Sequence, residues 1–281
     1  MARGVLFVPA ITGLLLALTL GKDRGWGDML VLMLVAGPVL MLAYWTRHQL
    51  RQEHPLIHLR ALADRRIATA YFCMAMVGMG MTQHTLVMAM LLQQRGVSIG
   101  FGLAAGVAGS LLMPVRLIGV LASAWCGRAV ARRGGRFGLL SGAMMTMSGW
   151  TLILLFHDRL PIVMAGMLLE GAGYIVCYVA IPNILLAAAP AGRAGEITGL
   201  STVFRAAFSA IGAQVVMLLL ATANDQAAGG AASTPSVAGF RLAFLFILLA
   251  CVACGIGAWH LPNDDPRRRR DRVGQSAIDS R

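Results

Sequence analysis

The chain has 281 residues, of which 58% are hydrophobic and 13% charged, and its net charge is +12. A soluble globular domain carries roughly a quarter charged residues, so this composition excludes a soluble domain, whose surface would be mostly apolar. The positive charges lie between apolar runs rather than on one face of a soluble fold, which argues against a nucleic-acid-binding protein.

Eight apolar runs are long enough to cross a bilayer, because a helical span needs about 20 predominantly apolar residues. The runs are continuously apolar and do not alternate, and a helix satisfies all of its own backbone hydrogen bonds in lipid. We therefore predict an all-α integral membrane protein with about eight transmembrane helices. The predicted spans are residues 4–20, 28–46, 67–92, 100–126, 137–156, 162–188, 197–223 and 240–260.

The distribution of basic residues predicts the orientation. Of the 24 lysine and arginine residues, the large majority lie in connections on the side that holds both termini. Positively charged connections stay on the cytoplasmic side. We therefore predict a multi-pass protein of the plasma (inner) membrane with both termini in the cytoplasm, and we interpret the run Arg267–Arg270 as a topology anchor.

Glycine patterns predict where helices pack closely. Gly102, Gly106 and Gly109 are expected to share a face in the fourth span, and Gly138 and Gly142 repeat this type of spacing in the fifth. Small residues spaced in this way allow helix backbones to approach closely in lipid.

No cofactor, metal or enzyme site is predicted. The five cysteines all lie in or at the end of apolar runs, where they are interpreted as small packing residues. No glycine-rich phosphate loop is followed by Lys-Ser/Thr. A membrane-embedded enzyme would need several acids and histidines at one depth, and His157 and Asp158 have no such neighbours in the sequence.

Polar side chains at membrane depth are the candidates for function, because an Arg or Asp at the bilayer centre costs roughly 2.5–3.5 kcal/mol on insertion scales. Structural alternatives remain open: an arginine can snorkel or bond helix carbonyls, a glutamate can be a neutral packing residue, and a buried histidine can be satisfied locally. Two tyrosines, Tyr174 and Tyr178, follow Glu170 at positions i+4 and i+8. The candidates are Gln83, His84, Arg116, Glu170, Tyr174, Tyr178 and Arg205.

Three segments resemble parts of the major facilitator superfamily. Residues 127–136, after a helix that contains Pro114, look like the family's cytoplasmic Gly-Arg-Leu-Ala-Asp-Arg-x-Gly-x-Arg loop, with Ala131 in place of its acid. Residues 189–205 look like a loop and helix start near the family's C-terminal end. Residues 54–60 resemble the linker that enters the C-terminal half in the fourteen-helix drug:proton antiporter branch. The loop-motif residues are Gly127, Arg128, Arg132, Gly134 and Arg136.

This resemblance implies a division of the chain. Residues 1–46 would be two extra transmembrane helices, 47–66 a cytoplasmic linker, 67–260 the six-helix C-terminal half of a transporter, and 261–281 a basic cytoplasmic tail. The N-terminal six helices of such a transporter are expected to be absent. Because the family's loop acid is replaced by Ala131, a charge latch in this half is not expected.

The resemblance also implies a function: a secondary active transporter, or its C-terminal half, for proton-coupled efflux of lipophilic cations or drugs. The third, fourth, sixth and seventh spans would line the cavity, and they carry all of the candidates. A buried Glu170 could hold a proton or a cation, but not both. The alternative is a truncated, non-transporting membrane subunit or interaction protein. The implied partners are the bilayer, a small lipophilic substrate, protons, and a missing N-terminal half or a second copy, without nucleic acid.

Overall fold

The structure is a computed structural model that describes residues 12–13, 16–17, 20, 27–50, 64–94, 100–189, 194–222 and 237–262. All regular elements within these ranges are helical, which confirms the predicted all-α class. The helices are α1 (Met29–Leu50), α2 (Arg65–Met79), a 3-10 turn (Met81–Gln83), α3 (His84–Gln93), α4 (Ala105–Arg133), α5 (Gly135–Leu155), α6 (Leu160–Ala188), α7 (Ala194–Thr222) and α8 (Val237–His260).

Six of these helical segments are long and apolar enough to cross a membrane, where α2, the 3-10 turn and α3 count together as one segment. The chain is therefore a multi-pass membrane protein in contact with lipid. The first predicted span, 4–20, lies mostly outside the described residues. The second, 28–46, lies almost entirely in α1 (Met29–Leu50), which has 22 residues. Most of the linker 47–66 and nearly all of the tail 261–281 also lie outside the described residues.

The third span is interrupted, whereas the sequence predicted one continuous helix over 67–92. α2 ends before Gly80, and the 3-10 turn separates it from α3. Three consecutive side chains bond backbone carbonyls at the break: Thr82 Oγ1 to Val77 O at 3.0 Å, Gln83 Nε2 to Gly78 O at 3.2 Å, and His84 Nδ1 to Met81 O at 3.0 Å. An interrupted helix is tolerated at membrane depth when its carbonyls are satisfied in this way.

Glycines bring α5 and α6 into close contact. A Cβ atom on Gly142 would lie 2.9 Å from Gly173 O, and a Cβ atom on Gly149 would lie 2.6 Å from Gly166 O. Gly138 packs against Val130 and Ala180 in the same region. The small-residue face that the sequence predicted on the fifth span is therefore confirmed.

The corresponding prediction for the fourth span is wrong for Gly102, and within the described residues Gly106 and Gly109 meet no neighbouring helix. Gly106 and Gly109 have no atom within 4 Å of the position where a Cβ would stand. Gly102 precedes α4 and has φ 61°, so this glycine serves a turn and not a helix face. Equal spacing of glycines does not reveal which side of a helix meets a neighbour.

The six spanning segments differ in how much of their surface is covered. In the apolar windows of α4 and α7, 17% of the residues are buried, compared with 61% in the α2–α3 segment and 50% in α6. α5 and α8 are intermediate at 44%. α4 and α7 thus stand at the margins of the described bundle, and each presents a largely open side.

Candidate functional site

Side chains from α3, α4, α6 and α7 form one continuous line of polar and aromatic groups, which we call the polar row. Part of it is open: Arg116 and Thr85 are exposed, Tyr178 is 38% exposed, and Tyr174 and Arg205 are partly buried. The row comprises, in spatial order, Arg116, Thr85, His84, Tyr174, Tyr178 and Arg205.

Hydrogen bonds connect the first three members. Arg116 Nη2 donates to Thr85 Oγ1 at 3.0 Å, and Thr85 Oγ1 lies 3.1 Å from His84 Nε2. His84 Nδ1 lies 3.0 Å from the Met81 carbonyl, which can only accept, so Nδ1 carries the hydrogen. Thr85 then donates its hydroxyl hydrogen to Nε2 while it accepts from Arg116. This assignment is consistent with all three bonds.

Ring contacts connect the other three. The ring centroids of His84 and Tyr174 are 5.1 Å apart, and those of Tyr174 and Tyr178 are 6.0 Å apart. The Arg205 guanidinium lies 5.2 Å above the centroid of the Tyr178 ring. These separations are typical of favourable aromatic pairs and of cation–π contacts. The row therefore begins and ends with a guanidinium and has three rings between them.

Both guanidiniums lie well inside the membrane-spanning part of the chain. At 1.5 Å per residue, Arg116 lies about 16 Å from the first residue of α4, and Arg205 lies about 16 Å from the first residue of α7. α4 and α7 begin on opposite faces of the membrane if each segment crosses once. Helices of 29 residues then leave roughly 10 Å between the levels of the two guanidiniums. The row thus lies near the middle of the membrane-spanning part of the chain, measured along the helix axes.

Glu170 lies behind the polar row and not in it. Its side chain is 0% exposed, and neither carboxyl oxygen has a hydrogen-bond partner among the described residues. It is directed towards α5, since a Cβ atom on Gly149 would lie 2.7 Å from Glu170 Cβ. Arg116 still interacts with Glu170 electrostatically. With 3.6 residues per turn, positions i and i+8 differ by about 80° around the helix axis, so Glu170 and Tyr178 point in different directions from α6.

Gln83 serves the helix break and is also not in the polar row. It is 3% exposed. Its amide nitrogen donates to Gly78 O at 3.2 Å and to Ser209 O on α7 at 2.9 Å. Both amide hydrogens are therefore used, and the side chain ties the interrupted third span to α7.

Sequence reasoning missed two threonines at the site. Thr85 bridges Arg116 and His84, and Thr82 interacts with the phenol of Tyr174. Their uncharged side chains are not costly at membrane depth, so they did not stand out. The available signal was position, because both lie within two residues of the Gln83-His84 pair.

The segment that the sequence predicted as a loop is mostly helical: α4 continues to Arg133, α5 begins at Gly135, and Gly134 alone separates them. Gly134 has φ 88° and ψ 163°, a conformation that is essentially restricted to glycine. The Arg133 guanidinium lies 4.8 Å from the centroid of the Phe137 ring, and the Arg136 guanidinium lies 5.5 Å from that of Trp259 at the end of α8. Gly127 stands in open space, and Arg128 and Arg132 are exposed.

Gly134→Ala is expected to lower the free energy of unfolding by about 1–3 kcal/mol, because a Cβ atom strains this backbone conformation. Chemical unfolding of the purified protein in detergent, followed by circular dichroism, measures the change. Gly127→Ala is the matched control, since nothing lies within 4 Å of its Cβ position. Equal stability of the two variants would show that the α4–α5 turn does not require a glycine.

The fold and the polar row define a helical multi-pass membrane protein with a polar site inside the bundle. No protein-family model matches the chain. The chain is similar to the Multidrug resistance protein Stp of Mycobacterium tuberculosis, in strains CDC 1551 / Oshkosh and ATCC 25618 / H37Rv. In each case it is 28% identical over 220 residues, which cover 77% of this chain and 40% of the relative. The matched region thus covers less than half the length of these curated relatives.

Proposed function

We propose that this chain contributes the C-terminal half of a secondary active transporter that expels small molecules in exchange for protons. The observation that carries the proposal is the polar row. In it, four membrane-spanning helices bring together two arginines, a histidine and two tyrosines. Such groups are expensive in lipid and mark substrate or ion pathways. The similarity to a multidrug resistance protein supports the same function.

In this proposal the chain has the architecture of the fourteen-helix drug:proton antiporter branch of the major facilitator superfamily. Residues 67–260 form the transporter half, 1–46 the extra helices, 47–66 the linker and 261–281 the basic tail. Both termini are cytoplasmic, in the inner membrane. The motif residues then lie on the cytoplasmic side: Gly127, Arg128 and Arg132 at the end of α4, Gly134 between the two helices, and Arg136 at the start of α5.

The open sides of α4 and α7 meet a second wall. In a transporter of this kind, two halves rock about a site near the bilayer midplane. α2–α3, α4, α6 and α7 line the site, while α5 and α8 support them from behind. The second wall is another six-helix half or a second copy of this chain, and it covers the helices whose apolar windows are 17% buried.

Glu170 takes up and releases the coupled proton. Its carboxyl oxygens have no hydrogen-bond partner among the described residues, and Arg116 is within electrostatic range. When Glu170 loses its proton, its charge attracts the Arg116 guanidinium, which otherwise donates to Thr85. When the proton returns, that attraction ends. Protonation thereby changes the polar row without requiring Glu170 to face the substrate.

Reconstitution tests the proposal. The purified chain is placed in proteoliposomes alone, where two copies can pair, and also together with the part of Stp outside the matched region. We expect an imposed pH gradient to drive movement of ethidium or of naphthalene-2-sulfonate in at least one arrangement, and a protonophore to stop it. If neither compound moves in either arrangement, the transport function is wrong.

The alternative function is a membrane subunit that binds partners without transporting anything. The open sides of α4 and α7 favour it too, because they imply a covering partner whether or not transport follows. The same experiment distinguishes the two functions. A stable complex between this chain and its partner that shows no pH-driven movement of either compound would support the non-transporting subunit.

A further inference from the structure

We infer that the polar row binds organic anions that carry a flat apolar part, rather than the lipophilic cations that the family resemblance implies. The inference rests on the proposed transport function and assigns the substrate class of the same site. It follows from the charges, exposure and ring contacts of the six row residues.

The first argument is the charge of the row. Arg116 and Arg205 stand at its two ends, and no row residue is a carboxylate. Among the acids whose side chains the structure describes, Glu170 is fully buried with both oxygens unpartnered, so it does not bond either guanidinium. The others, Asp28, Asp64 and Asp158, lie next to helix ends. While Glu170 is protonated, the row is therefore a positive site without a paired carboxylate, and such a site favours an anionic ligand.

The second argument is the number of hydrogen-bond donors that stay available. A guanidinium has five N–H donors and no acceptor. In the structure the Arg116 side chain donates to Thr85, and the Arg205 guanidinium is placed by the ring of Tyr178. An anionic oxygen matches the remaining donors, and bidentate pairing of arginine with an oxyanion is the strong form of this bond. A cationic group has no acceptor for these donors.

The third argument concerns the aromatic rings, which by themselves would also attract a cation. Arg205 already lies over the Tyr178 ring, at 5.2 Å from its centroid. The rings of His84 and Tyr174 are in tilted contact, with their centroids 5.1 Å apart. A bound cation would therefore compete with Arg205 for Tyr178 and would meet two like charges, and such like-charge contacts in an interface cost several kcal/mol. The rings suit the flat apolar body of an anion instead.

The fourth argument is depth. The two guanidiniums lie about 16 Å along helices that each span the membrane. This is the level of acyl chains and not of lipid headgroups. A soluble organic anion fits this position better than the phosphate of a resident lipid, although both offer the same oxyanion chemistry.

A pair of probes with one ring system and opposite charge tests the inference. The full chain is placed in phosphatidylcholine nanodiscs, and binding of radiolabelled naphthalene-2-sulfonate and of 2-naphthyltrimethylammonium is measured by equilibrium dialysis. We expect the sulfonate to bind at least about tenfold more tightly than the ammonium, since one charge-assisted hydrogen bond is worth this much. Equal or tighter binding of the ammonium, or no binding of either probe, overturns the inference.

Arginine variants locate the binding. Arg116→Gln and Arg205→Gln are each expected to weaken sulfonate binding about tenfold, while Arg116→Lys retains part of the affinity. Arg241→Gln is the matched control, because Arg241 is an exposed arginine near the start of α8 and outside the polar row. If Arg241→Gln loses as much sulfonate affinity, the effect comes from overall charge, and the assignment of the anion to the polar row is wrong.

Two further comparisons separate related outcomes. Repeating the measurement with phosphatidylglycerol added to the nanodiscs should leave sulfonate affinity unchanged; a tenfold loss would show that headgroups occupy the row and would overturn the assignment to a soluble anion. If the ammonium binds more tightly than the sulfonate while pH-driven transport is intact, the inference about anions is wrong and the proposed function stands. Sulfonate preference without transport in any arrangement keeps the inference and removes the proposed function.

Discussion

Glu170→Gln is expected to abolish the pH-gradient-driven movement of substrate in the assembled transporter. Glutamine keeps the shape and neutral polarity of a protonated glutamate but cannot exchange a proton. Since Glu170 is fully buried and its oxygens are unpartnered among the described residues, the variant changes proton exchange with little change in packing. The measurement is substrate movement in proteoliposomes with and without an imposed pH gradient.

The same variant separates coupling from binding. Because Glu170 lies behind the polar row, exchange of labelled for unlabelled substrate without a pH gradient should continue in Glu170→Gln. Trp150→Phe is the control, since Trp150 is the neighbour of Gly149 on α5 and also has a buried, unpartnered N–H, but it holds no exchangeable charge. Unchanged gradient-driven movement in Glu170→Gln would remove Glu170 from the mechanism and leave it a packing residue.

The positions of the spans could be predicted from the sequence because membrane thickness sets them. The fifth span was expected at 137–156 and is α5 (Gly135–Leu155); the eighth was expected at 240–260 and is α8 (Val237–His260). The break in the third span could not be predicted. Its residues remain largely apolar, and the interruption depends on contacts of Gly80 and Gln83 with α8 and α7.

The candidate site could be predicted only as a set of residues at a common depth. The cost of polar groups in lipid selected His84, Arg116 and Arg205 without knowledge of their neighbours. Which candidates meet each other depends on the rotation of each helix about its axis, and packing against neighbouring helices sets that rotation. For this reason Glu170 and Gln83 turned out to lie outside the polar row, although the sequence grouped them with it.

The contact between α5 and α6 holds Glu170 in place, and a single methyl group at this contact should be costly. Gly149→Ala is expected to lower the free energy of unfolding by about 1–3 kcal/mol, as overpacking of a close contact typically does. The added Cβ would lie 2.6 Å from Glu170 N and 2.6 Å from Gly166 O, and these backbone atoms cannot turn away as a side chain would. Unfolding in mixed micelles with increasing denaturing detergent measures the change.

Gly109→Ala provides the matched control on α4, because no atom lies within 4 Å of its Cβ position. In a helix interior the same exchange is otherwise favourable by roughly 0.5–1 kcal/mol, so this variant should be as stable as the parent protein or more stable. If Gly149→Ala and Gly109→Ala unfold at the same fraction of denaturing detergent, α5 and α6 do not pack as closely as the structure shows. If only Gly149→Ala is destabilised and it also loses proton coupling, the α5–α6 contact is what holds the carboxyl group of Glu170 within range of Arg116.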